Sequence, residues 1–268
     1  MTEKNLANLR AVLSDLDGVI YRGNTALPGA RELFAYLRAR RIPFVLLTNN
    51  STLTPYQYQR KLRDLGIPVR VAEILTSAQA TAAYLADTAP PGTRVLPVGE
   101  HGLRAALAEK GFALTRDDPE YVVVGLDRHV TYQRLAAASR AVSRGAVFLG
   151  TNADPALPVE GGVVPGTGSL QALITACTGV RPRTFGKPEP TMLQIALRRV
   201  GVQPADAVMI GDSLDTDIAG GQAAGLRTVL VLTGISTAAD VAASTAPPDY
   251  VFADLPALLA AMGAPAPV

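Results

Sequence analysis

Ala11-Val12-Leu13-Ser14-Asp15-Leu16-Asp17-Gly18 and Ala207-Val208-Met209-Ile210-Gly211-Asp212-Ser213-Leu214-Asp215-Thr216-Asp217 stand near opposite ends of the chain and share one plan, a compact apolar run followed by carboxylates. Such runs read as strands buried on both faces, the habit of parallel sheets. Ligands of open parallel sheets gather just beyond the carboxyl ends of the strands. If both strands lie in one sheet, four or five carboxylates crowd a small volume. A cation or a shared proton must relieve their repulsion. A hard ion with oxygen ligands, Mg²⁺ before others, suits that donor set.

Strand-like and helix-like segments alternate along the chain, which specifies an α/β fold. Strands are expected at 11–16, 43–47, 94–98, 121–124, 146–149, 207–210 and 228–232. An amphipathic helix carries Leu33, Phe34 and Leu37. Thr54-Pro55-Tyr56-Gln57 and Thr76 with Gln79 each spell a capping box at a helix start. Further helices are expected to end near Thr178 and to span 191–200 and 216–224. Asp87 to Gly92 is turn-rich and reads as a passage between domains. The acidic clusters lie in the first and last thirds, so 1–76 and 182–268 are expected to build one core domain. Residues 77–181 are expected to form an inserted domain, placed to cover the site and exclude water.

Composition narrows the function classes. The chain has 268 residues, 48% hydrophobic and 18% charged, enough for a real core and wrong for disorder. A net charge of +2 gives no nucleic-acid footprint, and the densest basic run, Arg38-Ala39-Arg40-Arg41, closes a helix where cations favour the dipole. Cys177 is the only cysteine, which excludes an internal disulfide and a cysteine zinc site and reads as a small core residue. No apolar stretch approaches the ~18 residues a membrane span needs. The first ten residues are polar and lack a signal-peptide core, so a cytoplasmic protein is expected.

Asp15 and Asp17 stand two apart, so in an extended segment both side chains point one way. That spacing suits a division of labour: one carboxylate attacks phosphorus, and the other protonates the departing oxygen and then deprotonates water. An Asx turn is the bland alternative for Asp-x-Asp-Gly, and the second cluster tips the balance away from it. Asp212 is the natural direct metal ligand, and Asp217 would hold a metal-bound water or orient Lys187. Asp215 is expected to cap the helix that follows. Thr48-Asn49-Asn50-Ser51 ends a strand with donors that grip phosphate oxygens or build an Asx turn. Lys187, one of four lysines beside 21 arginines, would offset the carboxylates and contact a phosphoryl group. It belongs to no Walker loop, because Arg181 replaces the first glycine and Pro188 follows the lysine. His101 and His129 are too scattered for zinc, and Gly166-Thr167-Gly168-Ser169 reads as a helix start.

Taken together, Asp15-x-Asp17-Gly18-Val19, Thr48 after a strand, Lys187 before proline, and Gly211-Asp212 with Asp217 resemble the four motifs of the haloacid dehalogenase superfamily. Leu47-Thr48-Asn49-Asn50-Ser51, Val124-Gly125-Leu126-Asp127, Gly150-Thr151-Asn152-Ala153-Asp154, Gly186-Lys187-Pro188 and Asp215-Thr216-Asp217-Ile218 resemble its NagD-like, subfamily IIA branch of p-nitrophenyl and phosphoglycolate phosphatases. The resemblance implies a Rossmann-like core with an inserted α/β cap of the C2 type. It implies Mg²⁺ held by Asp15, the Asp17 carbonyl and Asp212, with Asp217 outside the direct ligand set. It implies Asp15 as nucleophile, Asp17 as acid/base, Lys187 as brace, and phosphate binding by Thr48 and Asn49, with Asn50 beside them. The stretch Ser213 to Thr216, including Asp215, would line the substrate side. Asn152, Asp154 and Gly125-Leu126-Asp127-Arg128 are cap candidates for substrate choice.

The expected activity is Mg²⁺-dependent hydrolysis of small phosphomonoesters such as p-nitrophenyl phosphate, a nucleotide, phosphoglycolate or a sugar phosphate. The alternatives are a phosphomutase or phosphotransferase with the same intermediate, and a noncatalytic phospho-ligand module. No nucleic-acid or membrane partner is expected, and a homodimer stays open.

Overall fold

A computed structural model describes Leu6 and residues 9–159 and 161–264, so most of the polar N-terminal stretch and the last four residues lie outside the described residues. Over those residues the chain divides into two compact units. The first takes Met1–Thr48, Tyr58–Leu75 and Lys187–Val268, and the second takes Asn49–Gln57 and Thr76–Gly186.

The first unit is built on a six-stranded sheet: β1 (Ala11–Asp15), β2 (Phe44–Thr48), β3 (Ile74–Thr76), β4 (Ala207–Gly211), β5 (Arg227–Val231) and β6 (Tyr250–Phe252). Their order is β6-β5-β4-β1-β2-β3. The ladders joining β1 to β2, β1 to β4, β4 to β5 and β5 to β6 are parallel. Every residue of β1, β2 and β4 is buried. That burial is why these segments read as unbroken apolar runs rather than alternating ones. From β1 the chain builds outward through β2 and β3, then returns to β1's other side with β4. The strand order therefore reverses between β1 and β4, and such a reversal leaves a crevice beyond the strand ends. The register pairs Ser14 with Ile210, so Asp15 and Asp212 emerge side by side at that point.

Three helices flank this chemistry: α1 (Ala30–Ala39), α2 (Pro55–Asp64) and α3 (Pro190–Val200). α1 buries Ala30, Leu33, Phe34 and Leu37, the spacing of an inward stripe. α2 opens with the expected capping box: Gln57 Oε1 accepts from the Thr54 N–H at 2.8 Å, and Thr54 Oγ1 accepts from the Gln57 N–H at 3.3 Å. α3 starts with Pro190 in its first turn and ends on Gly201. A short hairpin, Tyr21–Arg22 against Thr25–Ala26, follows the Asp17 turn and was not foreseen.

The second unit has its own five-stranded parallel sheet, in the order Arg183–Thr184, Val147–Gly150, Tyr121–Val124, Arg94–Val98, Ala113–Leu114. Helix Ser77–Thr88 begins with the expected Thr76 and Gln79 box. Two expectations need correction here, for 87–92 and for Cys177, and one hairpin is new. Asp87 to Gly92 is no passage between units, because it joins that helix to Arg94–Val98 inside one unit. The glycine-rich stretch near 155–168 contains an antiparallel hairpin, Ala156–Val159 with Gly162–Pro165. Cys177 is exposed, not core. Helix Thr167–Thr178 buries Thr167, Gln171 and Ile174 at intervals of four and three, and Cys177 falls beside that stripe.

Candidate active site

Asp15 is the last residue of β1, and Asp212 follows the last residue of β4. Asp217 belongs to a π-helical turn, Leu214–Ile218, that folds back over Gly211. Lys187 precedes α3 and is only 3% exposed. The sheet reversal brings these four together from three distant stretches of sequence. One oxygen each of Asp15, Asp212 and Asp217 lies within 4.8 Å of the others, and all three residues are buried.

The hydrogen bonds divide the carboxylates into two kinds. Lys187 Nζ donates to Asp15 Oδ1 and, at 2.6 Å, to Asp217 Oδ1. Asp217 Oδ2 accepts from the backbone N–H groups of Asp212 and Ser213 at 3.1 and 3.2 Å. Both Asp217 oxygens are thus engaged, and its evident work is to hold Lys187 and the start of the loop after β4. Asp212 Oδ2 accepts from the Ile235 N–H at 2.9 Å, and Ser236 N–H bonds the Asp212 carbonyl at 2.9 Å.

Two glycines leave the Asp212 carboxylate its room. A Cβ on Gly18 would come within 2.2 Å of Asp212 Oδ2, and one on Gly234 within 1.7 Å. Gly18 also has φ +81°, which an L side chain rarely adopts.

Charge balance at the site is unfavourable as it stands. Burial, then Asp217 and Asp212, hold the Asp15 carboxyl well above its ordinary range, against the pull of Lys187. Burial and Asp217 push Asp212 up to about 7. Burial alone would lower the Lys187 ammonium, but Asp15 and Asp217 outweigh it and raise the group. Three clustered carboxylates share one ammonium, so the site is short of positive charge. Three converging carboxylates and no soft ligand fit a hard divalent cation.

The other sequence-derived candidates sort as follows. Asp17 lies two residues beyond Asp15 with much of its surface exposed, and partial burial of its carboxyl raises it against the pull of Lys61, Tyr21 and Lys187. Thr48 closes β2 and is buried. Asn49 and Asn50 belong to the second unit. Asn49 Nδ2 donates to Asp154 at 3.2 Å, beside Asn152 Nδ2 at 2.7 Å. Asn50 Oδ1 accepts from the Thr52 N–H and hydroxyl at 2.9 and 2.7 Å, which is an Asx turn. Asp215 is exposed and does not cap the helix. Ser213 Oγ does so, accepting from the Thr216 N–H at 3.3 Å, because the turn begins two residues earlier than its acidic residues suggested. Arg128 grips Glu100 with Nε at 2.8 Å and Nη2 at 2.9 Å. Asp127 is buried on Arg134 at 2.8 Å.

Sequence reasoning missed the 233–236 loop behind Asp212 and the pair Tyr21 and Lys61. The Thr233 hydroxyl donates to the Gly18 carbonyl at 2.6 Å, tying that loop to the Asp17 turn. Its signal was a Thr-Gly pair just after a strand. Lys61 on α2 sits over the Tyr21 ring at 3.7 Å, a contact no local pattern announces.

Comparison with known proteins adds to this geometry. A family model described as haloacid dehalogenase-like hydrolase matches residues 12–113, and a related hydrolase-like model matches 184–258. The acid sugar phosphatase of Staphylococcus aureus (strain USA300) is 42% identical over 247 residues, covering 92% of this chain and 95% of that protein. The structure is similar to 4-nitrophenylphosphatase from Thermotoga maritima, with a TM-score of 0.92, 33% identity and coverage of 96% and 98% of the two chains. It is similar to a glycerol phosphate phosphatase from Mycobacterium tuberculosis in complex with magnesium, with a TM-score of 0.88, 36% identity and coverage of 95% and 78%. Among the described residues, no helix is long and apolar enough to cross a membrane.

Proposed function

The chain belongs to the haloacid dehalogenase-like hydrolases, in their NagD-like phosphatase branch, and on that premise we propose that it hydrolyses small phosphomonoesters through an aspartyl-phosphate formed on Asp15. The observation that carries this reading is the buried Asp15 carboxylate, held by Lys187 and clustered with Asp212 and Asp217. Such a carboxylate is held for in-line attack and is not neutralised by a full complement of hydrogen bonds.

In this reading Asp15 Oδ2 bonds phosphorus as the ester P–O bond breaks. Asp17 gives its proton to the departing oxygen. Asp17 then takes a proton from water, whose oxygen attacks phosphorus and frees Asp15 and phosphate. Lys187, fixed by Asp217, stabilises charge on the phosphoryl oxygens. Thr48, with Asn49 and Asn50, is read as the phosphate grip, and Ser213, Asp215 and Thr216 as the substrate side. Residues 77–181 are read as the inserted cap that selects the substrate, and Asn152 and Asp154 as its polar contacts.

Asp15, the Asp17 carbonyl and Asp212 would hold Mg²⁺, which when bound neutralises the cluster and polarises the phosphoryl group. The magnesium complex of the Mycobacterium tuberculosis relative supports that choice. The substrate class is supported by the names of the relatives, a sugar phosphatase among them.

Asp15→Asn tests the reading, since it keeps size and removes the nucleophile. Turnover of p-nitrophenyl phosphate and of a sugar phosphate should fall to background while the circular dichroism spectrum is retained. A folded Asp15→Asn protein that still releases phosphate refutes attack by Asp15.

A further inference from the structure

Thr233-Gly234-Ile235-Ser236 follows β5 and directs its polar groups at the two loops that carry Asp17 and Asp212. The Ile235 N–H meets Asp212 Oδ2 and the Ser236 N–H meets the Asp212 carbonyl, both at 2.9 Å. Ser236 is buried, and its Oγ accepts from the Leu214 N–H at 2.9 Å, at the start of the π-helical turn. From the other end of the loop the Thr233 hydroxyl donates to the Gly18 carbonyl at 2.6 Å. Arg22 donates to the Thr233 carbonyl. The loop is itself fixed on both sides. Leu232 N–H bonds the Phe252 carbonyl at 3.0 Å, and Thr237 opens helix Ala238–Ala243 with a capping box on Asp240.

The Thr233 bond acts on the peptide next to it. Gly18 N–H donates to the Tyr21 carbonyl at 2.8 Å. In a planar trans peptide the N–H and C=O point opposite ways, so that bond also sets the direction of the Asp17 carbonyl. Thr233 holds the following carbonyl, and together the two bonds leave the Asp17–Gly18 peptide little freedom to rotate. Gly18 and Gly234 come close on this side: a Cβ on Gly18 would stand 3.3 Å from the Gly234 Cα. A backbone carbonyl and a carboxylate that must meet one small ion are placed by their loops. Neighbours that orient such ligands weigh on metal affinity nearly as much as the ligands do.

We infer that Thr233 and Ser236 are positioning residues whose hydroxyls clasp the Asp17 turn to the Asp212 loop, fixing the separation at which the Asp17 carbonyl and the Asp212 carboxylate receive a divalent ion. This rests on the reading of those groups as Mg²⁺ ligands given above. In that reading neither hydroxyl is itself a ligand. Loss of either leaves every carboxylate of the cluster in place and lets the two loops drift apart.

The test titrates Mn²⁺, a hard ion with the same preference for oxygen ligands, into the full metal-free chain without substrate, followed by electron paramagnetic resonance. Thr233→Val keeps the branched shape and removes the donor to Gly18. Ser236→Ala removes the acceptor of the Leu214 N–H. Each is expected to weaken Mn²⁺ binding about tenfold or more, the range for residues that orient a metal ligand. Thr233→Ser keeps the hydroxyl and should recover most of the parent affinity. In turnover of p-nitrophenyl phosphate, Thr233→Val and Ser236→Ala should need correspondingly more Mg²⁺ for half-activation. Parent-like Mn²⁺ affinity in either variant, or no recovery in Thr233→Ser, overturns the clasp, and so does a loss confined to kcat. If Thr233→Val does not fold, Ser236→Ala decides alone. Asp212→Asn runs alongside. If it binds Mn²⁺ as the parent does, the metal reading itself fails; if it loses the ion and the two hydroxyl variants keep it, only the clasp fails.

Discussion

Glu73 and the Asp15 cluster are buried acids of the same unit, and their surroundings are opposite. Glu73 is 5% exposed and lies between two guanidinium groups. Arg38 meets it with two hydrogen bonds at 2.5 and 2.6 Å, and Arg70 adds its side chain and its backbone N–H. Burial pushes the Glu73 carboxyl up, but the bonds from Arg38 and Arg70 outweigh it and leave the group below its ordinary range. At the sheet reversal the count is inverted, with three carboxylates on one ammonium and both Asp15 and Asp212 raised. A buried acid with cations to spare serves the fold. Buried acids in excess serve something that arrives later.

The largest expected effect follows from that excess. Stripping divalent ions with EDTA should lower phosphatase activity by two orders of magnitude or more, roughly the scale metal catalysis supplies, and Mg²⁺ should restore it. Undiminished turnover in metal-free buffer would break the contrast at its root. Asp212→Asn should abolish metal rescue in the same assay. It should also stabilise the metal-free protein at pH 8 by on the order of 1–2 kcal/mol, because it removes one of three repelling charges. Chemical denaturation checks this, and a loss of stability would mean that Asp212 is structural after all. Glu73→Gln should act in the other direction. It should cost about 1–2 kcal/mol, discounted because Arg38 is partly exposed, and leave kcat unchanged.

The smallest effect is in pH, and its signs are opposite for the two regions. Asp212, raised from 3.8 to about 7, binds a proton in the folded state that the unfolded chain has lost. The metal-free protein should therefore lose stability as pH rises between about 4 and 7. Glu73 is depressed, so its contribution is complete above its unfolded value of 4.5 and fades as pH falls through its folded value. Melting temperatures across pH 3–8, with Asp212→Asn and Glu73→Gln beside the parent, separate the two slopes.

What the sequence revealed depended on whether the signal was local. Strands β1, β2 and β4 announce themselves because both faces are buried, leaving unbroken apolar runs that end in Asp15, Thr48 and Gly211. Capping boxes at Thr54 and Thr76 are legible for the same reason, since donor and acceptor lie three residues apart. The hairpin at 156–165 stayed hidden because its second strand is exposed at every position, so no face imposes an alternating pattern. Cys177 was misjudged because residue type does not say which side of a helix faces inward. Ser213 and Asp215 compete as caps within three residues, and only the backbone decides. The Arg38, Glu73 and Arg70 cluster leaves no trace in sequence, because Arg38 and Glu73 are 35 residues apart and meet only once the sheet has formed.

Gly234 carries a last consequence. Its Cα occupies ground that even a methyl group would contest with the Asp212 carboxylate. A survey that trims side chains to alanine measures functional groups and passes over positions whose contribution is to have none. Here the vacancy at Gly234 and Gly18 shapes the anion as much as any donor does. Adding a single carbon at either place would displace charge without deleting any.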